Sequence, residues 1–587
     1  MKKGLYISCL VAAVMLGGCN EKKTVLTSGI DPSNLDPTAL PGTDFYRYAC
    51  GGWIDKHPLG GEYASFGSFD MLDEENLERL EALIKDAAGS GAPEGSDERK
   101  IGDLYAVAMD SVKLNAEGGT PVRHWLERIA ATNGKEERLA LVALMQRSGF
   151  GPYFSVYVDA DPGDSRMNIV HAGQGGLSLG EREYYLDQDE YTRGIREAFR
   201  AHVAGVFELA GFSREEAIGA VARVMEVEMR LATAARGAVE LRDPRANYNK
   251  MTVEELQQLA PGIDWNAYFD ALGLPGLREL NVGQVEALHE AAAILNETPA
   301  GVQRSYLQWK VLSSASAYLS DDFQALNFDF YGKTLSGQQE PRPRWKRAVA
   351  TIDGVLGERV GKLYVEKHFP AAAKERMIAL VEHLRVALGE RIRGLAWMSD
   401  ETRERALEKL DVMIVKVGYP DAWRDYSALE IKGDSYWANI ERASHFMHDY
   451  MLSKAGKPVD RSEWMMTPQT VNAYYNPVNN EICFPAAILQ YPFFDMRADD
   501  AFNYGAIGGV IGHEMTHGFD DEGRQFDKEG NLRDWWTPED AARFEARARV
   551  LVEHFNAIEV LPGLNANGKL TLGENIADLG GIGVAYA

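Results

Sequence analysis

Hydrophobic residues recur at helical spacing through most of this chain. Leu77, Leu80 and Ile84 lie three and four residues apart, which places them on one face of a helix. Ser213 and Thr252 each stand three residues before a glutamate, a capping-box pattern that begins a helix. The pattern therefore predicts a chain built mainly from amphipathic helices.

Only two stretches of the sequence resemble β-strands. Residues 152–158 and 469–484 are rich in the aromatic and β-branched residues that favour strands. Residues 372–417 again predict long helices, with a start at Asp400, and Thr537 before a proline predicts one more helix start. We therefore predict a mainly α fold with minor β.

A soft boundary near residues 433–437 divides the chain, because the residues with candidate chemistry crowd together after it. We predict a mainly helical N-terminal domain over residues 43–432 and a domain that carries the chemistry over residues 433–587. The chain has 587 residues, more than one hydrophobic core usually holds, which also favours two domains.

The chain is strongly acidic, with 62 lysines and arginines against 87 aspartates and glutamates and a formal net charge of −25. This balance argues against nucleic acid or an anionic membrane surface as a partner. Hydrophobic residues make up 45% of the chain and charged residues 25%, so a large core can form. The composition thus predicts a globular protein without a nucleic-acid partner.

The first residues have the pattern of an export signal. Lys2 and Lys3 precede an apolar stretch over residues 5–16, which is too short to span a bilayer as a helix. The stretch leads into two glycines and Cys19, which resembles a bacterial lipobox. We predict a signal peptide over residues 1–18 and a lipid on Cys19. The alternative is an ordinary signal peptide with an incidental cysteine.

The expected location is the bacterial cell envelope. Residues 19–42 are polar and proline-punctuated, as in a tether between a lipid anchor and a folded domain. No other run of the sequence is apolar enough to span a membrane. We expect an exported protein that its lipid holds in the membrane, in the periplasm or at the cell surface. Asn20 stands where an aspartate often marks inner-membrane retention, which favours the outer membrane.

Two histidines four residues apart form the most informative motif. His513 and His517 share one face of a predicted helix, so both imidazoles can reach one metal ion. Glu514 is close enough to take a proton from metal-bound water without being a ligand, which is the arrangement of a zinc peptidase. The alternative is a solvated amphipathic helix, but residues 506–511 are small and apolar and favour a buried one.

A third metal ligand is available further along the chain. Glu574 and Asp578 are also four residues apart and share a helix face. Glu574 would complete a site with one position open for water, and Asp578 would accept the free ring N–H of a ligand histidine. The alternative is a helix start with two acidic residues near its positive end, which the upstream motif makes less favoured.

These residues and several other segments resemble the neprilysin-type zinc metallopeptidases (peptidase family M13), including their bacterial oligopeptidase members. The resemblance runs from about residue 43 to the end, and matching blocks lie at residues 45–53, 176–186, 471–475, 484–494, 513–536 and 574–581. It implies two largely helical lobes that enclose an internal cavity, with a gluzincin-type catalytic domain that holds the His-Glu-x-x-His helix. Such a chamber admits oligopeptides and excludes folded proteins.

The resemblance also implies roles for matched residues in the motif. The implied ligands of one zinc ion are His513, His517 and Glu574. Glu514 corresponds to the general base that activates zinc-bound water, and Asp578 corresponds to the partner of a ligand histidine.

Further matches concern the substrate. Asn472 and Ala473 correspond to an edge-strand pair that binds the substrate backbone. Ile488, Phe493 and Val510 correspond to an apolar pocket for the side chain just after the scissile bond, and their alternative is plain core packing. The implied function is a zinc-dependent endopeptidase that hydrolyses oligopeptides and prefers an apolar residue after the scissile bond.

Relatives with these motifs continue beyond the point that corresponds to Ala587. Their further residues supply a histidine that stabilises the oxyanion and an arginine that holds the substrate. We expect this chain to be a fragment of a longer enzyme, and the alternative is a shortened lipoprotein that binds peptides and cleaves them weakly or not at all. In relatives, the cysteine that pairs with the counterpart of Cys50 also lies beyond the point that corresponds to Ala587. We therefore expect Cys50 to be unpaired in this chain, and Cys483 to be a free thiol.

Overall fold

Helices dominate the structure, a computed structural model that describes residues 28–587. The structure is 58% helix and 9% strand, which confirms the predicted mainly α fold with minor β. The predicted signal peptide and the lipid site at Cys19 lie outside the described residues. No helix within residues 28–587 has both the length and the apolar composition that crossing a bilayer requires.

The α-helices are numbered in chain order. Those of the first half are α1 (Phe45–Lys56), α2 (Ser68–Gly89), α3 (Asp97–Met109), α4 (Ser111–Glu117), α5 (Arg123–Ala131), α6 (Lys135–Arg147), α7 (Glu183–Leu186), α8 (Glu190–Leu209), α9 (Arg214–Ala234), α10 (Ala238–Leu241), α11 (Val253–Leu259), α12 (Trp265–Leu272) and α13 (Val285–Glu297). Those that follow are α14 (Ala300–Ala315), α15 (Asp321–Asn327), α16 (Arg344–His368), α17 (Ala371–Arg393), α18 (Asp400–Asp411), α19 (Tyr436–Leu452), α20 (Asp500–Gly505), α21 (Ile507–His517), α22 (Pro538–Asn556) and α23 (Leu572–Tyr586). Short 3-10 helices occur at Pro32–Asn34, Thr120–Val122, Ser316–Tyr318 and Gly523–Gln525, and a π-helix occurs at Phe328–Leu335.

The strands form small sheets within the helical framework. A four-stranded sheet has the order β1-β2-β4-β3, with β1 (Phe154–Asp161), β2 (Asp164–Gln174), β3 (Lys250–Thr252) and β4 (Glu279–Val282). A three-stranded sheet has the order β5-β7-β6, with β5 (Ile414–Gly418), β6 (Tyr474–Asn476) and β7 (Glu481–Pro485). A two-stranded hairpin pairs β8 (Glu559–Leu561) with β9 (Leu564–Asn565). Cys483 on β7 and Cys50 on α1 are free thiols.

The predicted helix starts are confirmed. Ser213 and Thr252 cap α9 and α11, and each accepts the backbone N–H of the glutamate three residues later. Helix α18 begins at the predicted Asp400, with Ser399 as its cap. Thr537 likewise caps α22, whose first residue is a proline.

The prediction of helix over residues 372–417 is wrong at its end, where Ile414–Gly418 form β5. Ile414, Val415 and Val417 are β-branched, and β5 pairs in parallel with the buried strand β7. The predicted strand over residues 469–484 is instead two strands, β6 and β7, which pair antiparallel across a turn.

Two hydrophobic cores define two lobes, as predicted. The first core takes residues from 122–330, together with Trp437 and Leu452 of α19. The second core takes residues from 77–114, 348–429 and 473–584, together with Tyr436 and Ala443 of α19. We call residues 119–340 the first lobe, and residues 45–118, 344–432 and 456–587 the second lobe. Each core uses residues from both sides of residue 432, and the domain division at that residue stays a prediction.

Candidate active site

Helix α21 brings the two predicted histidine ligands together. One side of this helix enters the second core, where Ile507, Ile511 and Met515 are fully buried. His513 and His517 line a cleft, with their Nε2 atoms 3.0 Å apart. The four-residue spacing of the sequence thus becomes a pair of adjacent imidazoles.

Helix α23 places a carboxylate beside this pair. Glu574 Oε2 is 3.2 Å from His513 Nε2 and 3.7 Å from His517 Nε2. One ligand atom from each of the three side chains lies within 4.8 Å of the other two. The structure therefore brings the three predicted metal ligands to one point.

The two helices approach closely because glycines face each other. A Cβ atom on Gly581 would lie 2.5 Å from the carbonyl oxygen of Gly509 and 2.7 Å from the backbone nitrogen of His513. A Cβ atom on Gly512 would lie 2.8 Å from the carbonyl oxygen of Gly581. Ordinary contacts of a Cβ atom lie at 3.4–4 Å. The glycines therefore set the distance between the histidines and Glu574.

A carboxylate orients each histidine ring. Asp578 Oδ1 lies 2.9 Å from His513 Nδ1, and Asp520 Oδ2 lies 2.7 Å from His517 Nδ1. Because an ionised carboxylate only accepts hydrogen bonds, each Nδ1 donates and each Nε2 faces Glu574. This is the contact predicted for Asp578.

Asp520 is a site residue that the sequence prediction missed. It lies three residues after His517, past the end of α21, and its second oxygen accepts the backbone N–H groups of Glu522 and Gly523 at 2.9 and 2.6 Å. These two bonds fix the carboxylate toward the ring. The short spacing from His517 is the signal that could have identified it.

Glu514 is buried beside the ligand pair, with 7% of its surface exposed. Burial raises its pKa to about 7, although the nearby rings of His517 and His513 act in the opposite direction. A carboxyl group with a pKa near neutrality can both accept a proton and release it. Glu514 is therefore suited to proton transfer in the cleft.

The carboxylates favour positive charge between the helices. Burial opposes protonation of both rings, but the hydrogen bonds that His513 donates to Asp578 and Glu574 raise its pKa to about 9. The hydrogen bonds that His517 donates to Asp520 and Glu574 raise its pKa to about 10. The same two rings hold the pKa of Glu574 well below its usual range. The site thus has the electrostatics that a bound cation needs.

These side chains open into a cleft of about 410 Å³ next to strand β6. The cleft is lined by residues in and around β6, on α21, in the segment after α21 and on α23: Asn472, Ala473, Tyr474, Tyr475, Pro477, His513, Glu514, His517, Asp520, Glu522, Gly523 and Glu574. Strand β6 is at the edge of its sheet, and β7 pairs with its other side. An extended peptide in the cleft therefore has a strand edge with which to pair.

The three residues predicted for an apolar pocket lie in or against the second core. Ile488 is fully buried, and Val510 is half-buried on α21. Phe493 is half-buried, and its ring centroid lies 4.5 Å from that of Phe69. None of the three is among the residues that line the cleft at Glu514. Their role as a specificity pocket stays a prediction.

A buried lysine supports the segment that follows α21. Lys409 on α18 is 1% exposed, and its Nζ donates to the carbonyl oxygens of Gly518, Gly523 and Phe526, each at 2.8 Å. Burial lowers the pKa of Lys409 to about 7. Three donated N–H bonds nevertheless require the ammonium form. Lys409 therefore holds a buried positive charge beneath the loop that carries Asp520.

Comparison with known proteins relates this site to a family. Two family models described as Peptidase family M13 match the chain, one over residues 41–420 and the other over residues 472–587. Human endothelin-converting enzyme 1 is 33% identical over 579 residues, which cover 94% of this chain and 74% of that protein. The predicted resemblance is thereby confirmed.

The fold agrees with solved structures. The crystal structure of the Mycobacterium tuberculosis zinc metalloprotease Zmp1 in complex with an inhibitor has a TM-score of 0.92 and 40% identity, over 95% of this chain and 86% of that one. The cryo-EM structure of Zmp1 in an open state has a TM-score of 0.75 and 40% identity, over 93% of this chain and 86% of that one. The fold is thus a helical two-lobe gluzincin fold, and this chain belongs to peptidase family M13 and is a zinc metalloendopeptidase.

Proposed function

We propose that this protein hydrolyses oligopeptides in the cleft between β6 and the helices α21 and α23. The observation that carries the proposal is the convergence of His513, His517 and Glu574 within 4.8 Å, beside the buried Glu514. Two imidazole nitrogens and one carboxylate oxygen are a donor set that catalytic zinc takes from proteins. Because a carboxylate also orients each ring, these residues fit one zinc ion per chain.

His513, His517 and Glu574 would hold the zinc ion, which would supply Lewis-acid chemistry for the scissile carbonyl and for the attacking water. Glu514 takes the proton of the attacking water, because its carboxyl group lines the cleft and has a pKa of about 7. Glu514 then gives this proton to the leaving amine. Asp578 and Asp520 meanwhile keep the Nε2 atoms of both rings in the ligand position.

The substrate backbone lies along Asn472 and Ala473, which precede strand β6 and line the cleft. Pairing with this edge adds the peptide to the β5-β7-β6 sheet as a further strand. The side chain just after the scissile bond extends toward Ile488, Phe493 and Val510, which gives a preference for apolar residues. Enclosure between two lobes restricts the substrates to oligopeptides.

Zinc analysis and peptide cleavage test this function. We expect one zinc per chain and chelator-sensitive cleavage of a peptide library on the amino side of apolar residues. Glu514→Gln should keep the metal and lose roughly 10²–10⁴-fold in kcat, the usual contribution of a general base. Glu553→Gln, the same exchange on the exposed part of α22, is the matched control.

Two results would contradict the proposal. Undiminished cleavage by Glu514→Gln would exclude Glu514 as the base. A zinc-loaded wild-type chain that binds peptides but cleaves them at the background rate would instead support a peptide-binding lipoprotein.

We also propose that the protein is exported and that a lipid on Cys19 anchors it to a bacterial membrane, with the outer membrane favoured. The support is the sequence pattern of Lys2, Lys3, the apolar residues 5–16 and the two glycines before Cys19. Detergent phase partitioning of the wild-type and Cys19→Ala proteins tests the anchor. Recovery of both in the aqueous phase would exclude it.

A further inference from the structure

The segment between α21 and α22, residues 518–537, joins the metal site to the first lobe. We call it the linking segment. It carries Asp520, which orients His517, and it is followed on the chain by α22 and then by α23 with Glu574. A movement of this segment would therefore change the position of Asp520 and with it the orientation of the His517 ring.

Arg242 is the first-lobe residue that contacts this segment next to the metal site. It follows α10, and its side chain is 20% exposed. Its Nε lies 2.6 Å from Glu522 Oε1, and its Nη2 lies 3.2 and 3.1 Å from the two carboxylate oxygens of Asp521. Its Nη1 donates to the carbonyl oxygen of Lys569. One guanidinium thus bridges the linking segment and the residues before α23.

These contacts meet directly beside the ligands. A Cβ atom on Gly573, the residue before Glu574, would lie 2.9 Å from Arg242 Nη2 and also 2.9 Å from Asp520 Oδ2. Arg242 therefore packs against both parts of the site, the part that holds His517 and the part that holds Glu574.

Arg242 also lies against a cluster of acidic side chains. Asp520, Asp521 and Glu522 are three consecutive acidic residues, and Arg242 bonds two of them. Like charges at this spacing repel when no cation lies between them. A bidentate guanidinium holds such carboxylates in a fixed geometry, which a lysine ammonium does not.

A second set of contacts joins the lobes farther from the ligands. The backbone N–H of Ser165 in β2 donates to Asn531 Oδ1 at 2.9 Å, and the Ser165 hydroxyl donates to the carbonyl oxygen of Glu529 at 2.6 Å. The N–H of Leu532 donates to the carbonyl oxygen of Pro162 at 2.6 Å.

Arg245 of the first lobe also contacts this segment, with its Nε 2.9 Å from Gln525 Oε1 and its Nη2 3.0 Å from Asp534 Oδ1. Within residues 28–587, the first lobe therefore contacts the linking segment at three places, and of these contacts those of Arg242 are the ones to the residues next to Asp520.

Solved structures of the relative Zmp1 include an open state and a partial open state besides the inhibitor complex, which we interpret as different arrangements of the two lobes. This chain matches the inhibitor complex of Zmp1 with a TM-score of 0.92, and it matches the open and partial open states with 0.75 and 0.74. Every partner of Arg242 named above lies in the second lobe. Separation of the lobes at this point would therefore break these contacts.

We propose that Arg242 is a positioning residue that couples closure of the two lobes to the geometry of the zinc site. The proposal rests on the proposed zinc site and goes beyond it. When the lobes close, Arg242 fixes Asp521 and Glu522, and Asp520 then holds the His517 ring in place. Because coupling between two equilibria is reciprocal, zinc must favour the closed arrangement as strongly as closure favours zinc.

Zinc release and small-angle X-ray scattering test the coupling without measuring activity. We expect Arg242→Ala to release zinc to a chromogenic chelator roughly 10–100-fold faster than wild type, the usual effect of losing an indirect partner of the ligands. The rate of zinc release from Arg242→Lys should lie between the rates of wild type and Arg242→Ala. Zinc should make the wild-type chain more compact, and this response should be lost in Arg242→Ala. Arg200→Ala, which removes an exposed pair with Glu197 within α8, is the matched control.

The outcomes distinguish failure of the proposed coupling from failure of the proposed zinc site. Release of zinc from Arg242→Ala at the wild-type rate, or an unchanged compaction by zinc, would overturn the coupling while the zinc site stands. A wild-type chain that binds no zinc would overturn the proposed function itself. Where Arg242→Ala does not fold, Asp521→Asn and Glu522→Gln remove the partners instead. Wild-type zinc release from both would overturn the coupling equally.

Discussion

The contact between α21 and α23 makes Gly581→Ala a sharp test of how the metal site is assembled. The added Cβ atom would meet the carbonyl oxygen of Gly509 at 2.5 Å and the nitrogen of His513 at 2.7 Å, whereas ordinary contact begins at 3.4 Å. Both obstacles are backbone atoms of a buried helix and have no rotamer to change. The helices must therefore separate by roughly 0.7–0.9 Å at this point (3.4 − 2.7 and 3.4 − 2.5).

Such a separation reaches the ligands because Glu574 belongs to the same helix as Gly581. Ligand distances in a metal site tolerate only about 0.2 Å. We therefore expect Gly581→Ala to bind zinc roughly 10–100-fold more weakly, by analogy with the loss of a contact that orients a ligand. This factor corresponds to about 1.4–2.8 kcal/mol. The metal-free protein should lose about 1–3 kcal/mol of stability by overpacking.

The assay is competition for zinc against a fluorescent chelator, with thermal unfolding of the metal-free proteins measured in parallel. Gly509→Ala is the matched control, because it adds the same methyl group to α21 and its Cβ atom meets nothing within 4 Å. Equal zinc affinity for the two variants, within a factor of two, would refute the argument that the glycine contact sets the ligand distances.

Three other changes probe the surroundings of the site. Asp520→Ala should weaken zinc binding by roughly 10–100-fold, because His517 loses the carboxylate that orients its ring. Calorimetric titration with zinc measures this change, and an unchanged zinc affinity would contradict the orienting role of Asp520. Lys409→Met leaves three buried carbonyl oxygens without their donor, so the free energy of unfolding measured in urea should fall by about 3–5 kcal/mol. A decrease below about 1 kcal/mol would argue against the supporting role of Lys409. Burial opposes ionisation of Asp540, but hydrogen bonds from Ser399, Thr402 and Thr537 hold the pKa of this carboxyl far below its usual range. Its contribution to stability is therefore complete above the unfolded pKa of about 3.9 and is lost as the pH falls toward the folded value. Asp540→Asn should make acid unfolding less steep below about pH 4, and identical pH profiles would contradict this.

The sequence predicts the parts of the site that depend on a single helix. The spacing of His513 and His517, and that of Glu574 and Asp578, is enough to place each pair on one face, because helix geometry is the same in every context. The helix starts predicted from the capping boxes at Ser213 and Thr252 are correct for a similar reason, because a capping side chain bonds only to the first turn of the helix that it begins.

Residues whose partners are distant in the chain could not be found in this way. Lys409 bonds carbonyl groups more than one hundred residues later, and Arg242 bonds Asp521 from the other lobe. No local pattern marks either of them, because their positions depend on how the lobes and helices pack. The helix predicted over β5 fails for a similar reason, since pairing with β7 decides its conformation.

Strand β6 also bears on how the protein avoids aggregation. An unpaired strand edge is a template on which another copy of the chain can add a strand, and repeated addition leads to fibres. Here the edge is only three residues long, Pro477 follows it without an N–H to donate, and the residues around it line a cleft. Under the proposed function, a short extended peptide enters this cleft of about 410 Å³ and pairs with the strand, whereas the sheet of a folded neighbour would not fit. The proposed binding mode thus leaves the unpaired edge open to a peptide without exposing it to other copies of the chain.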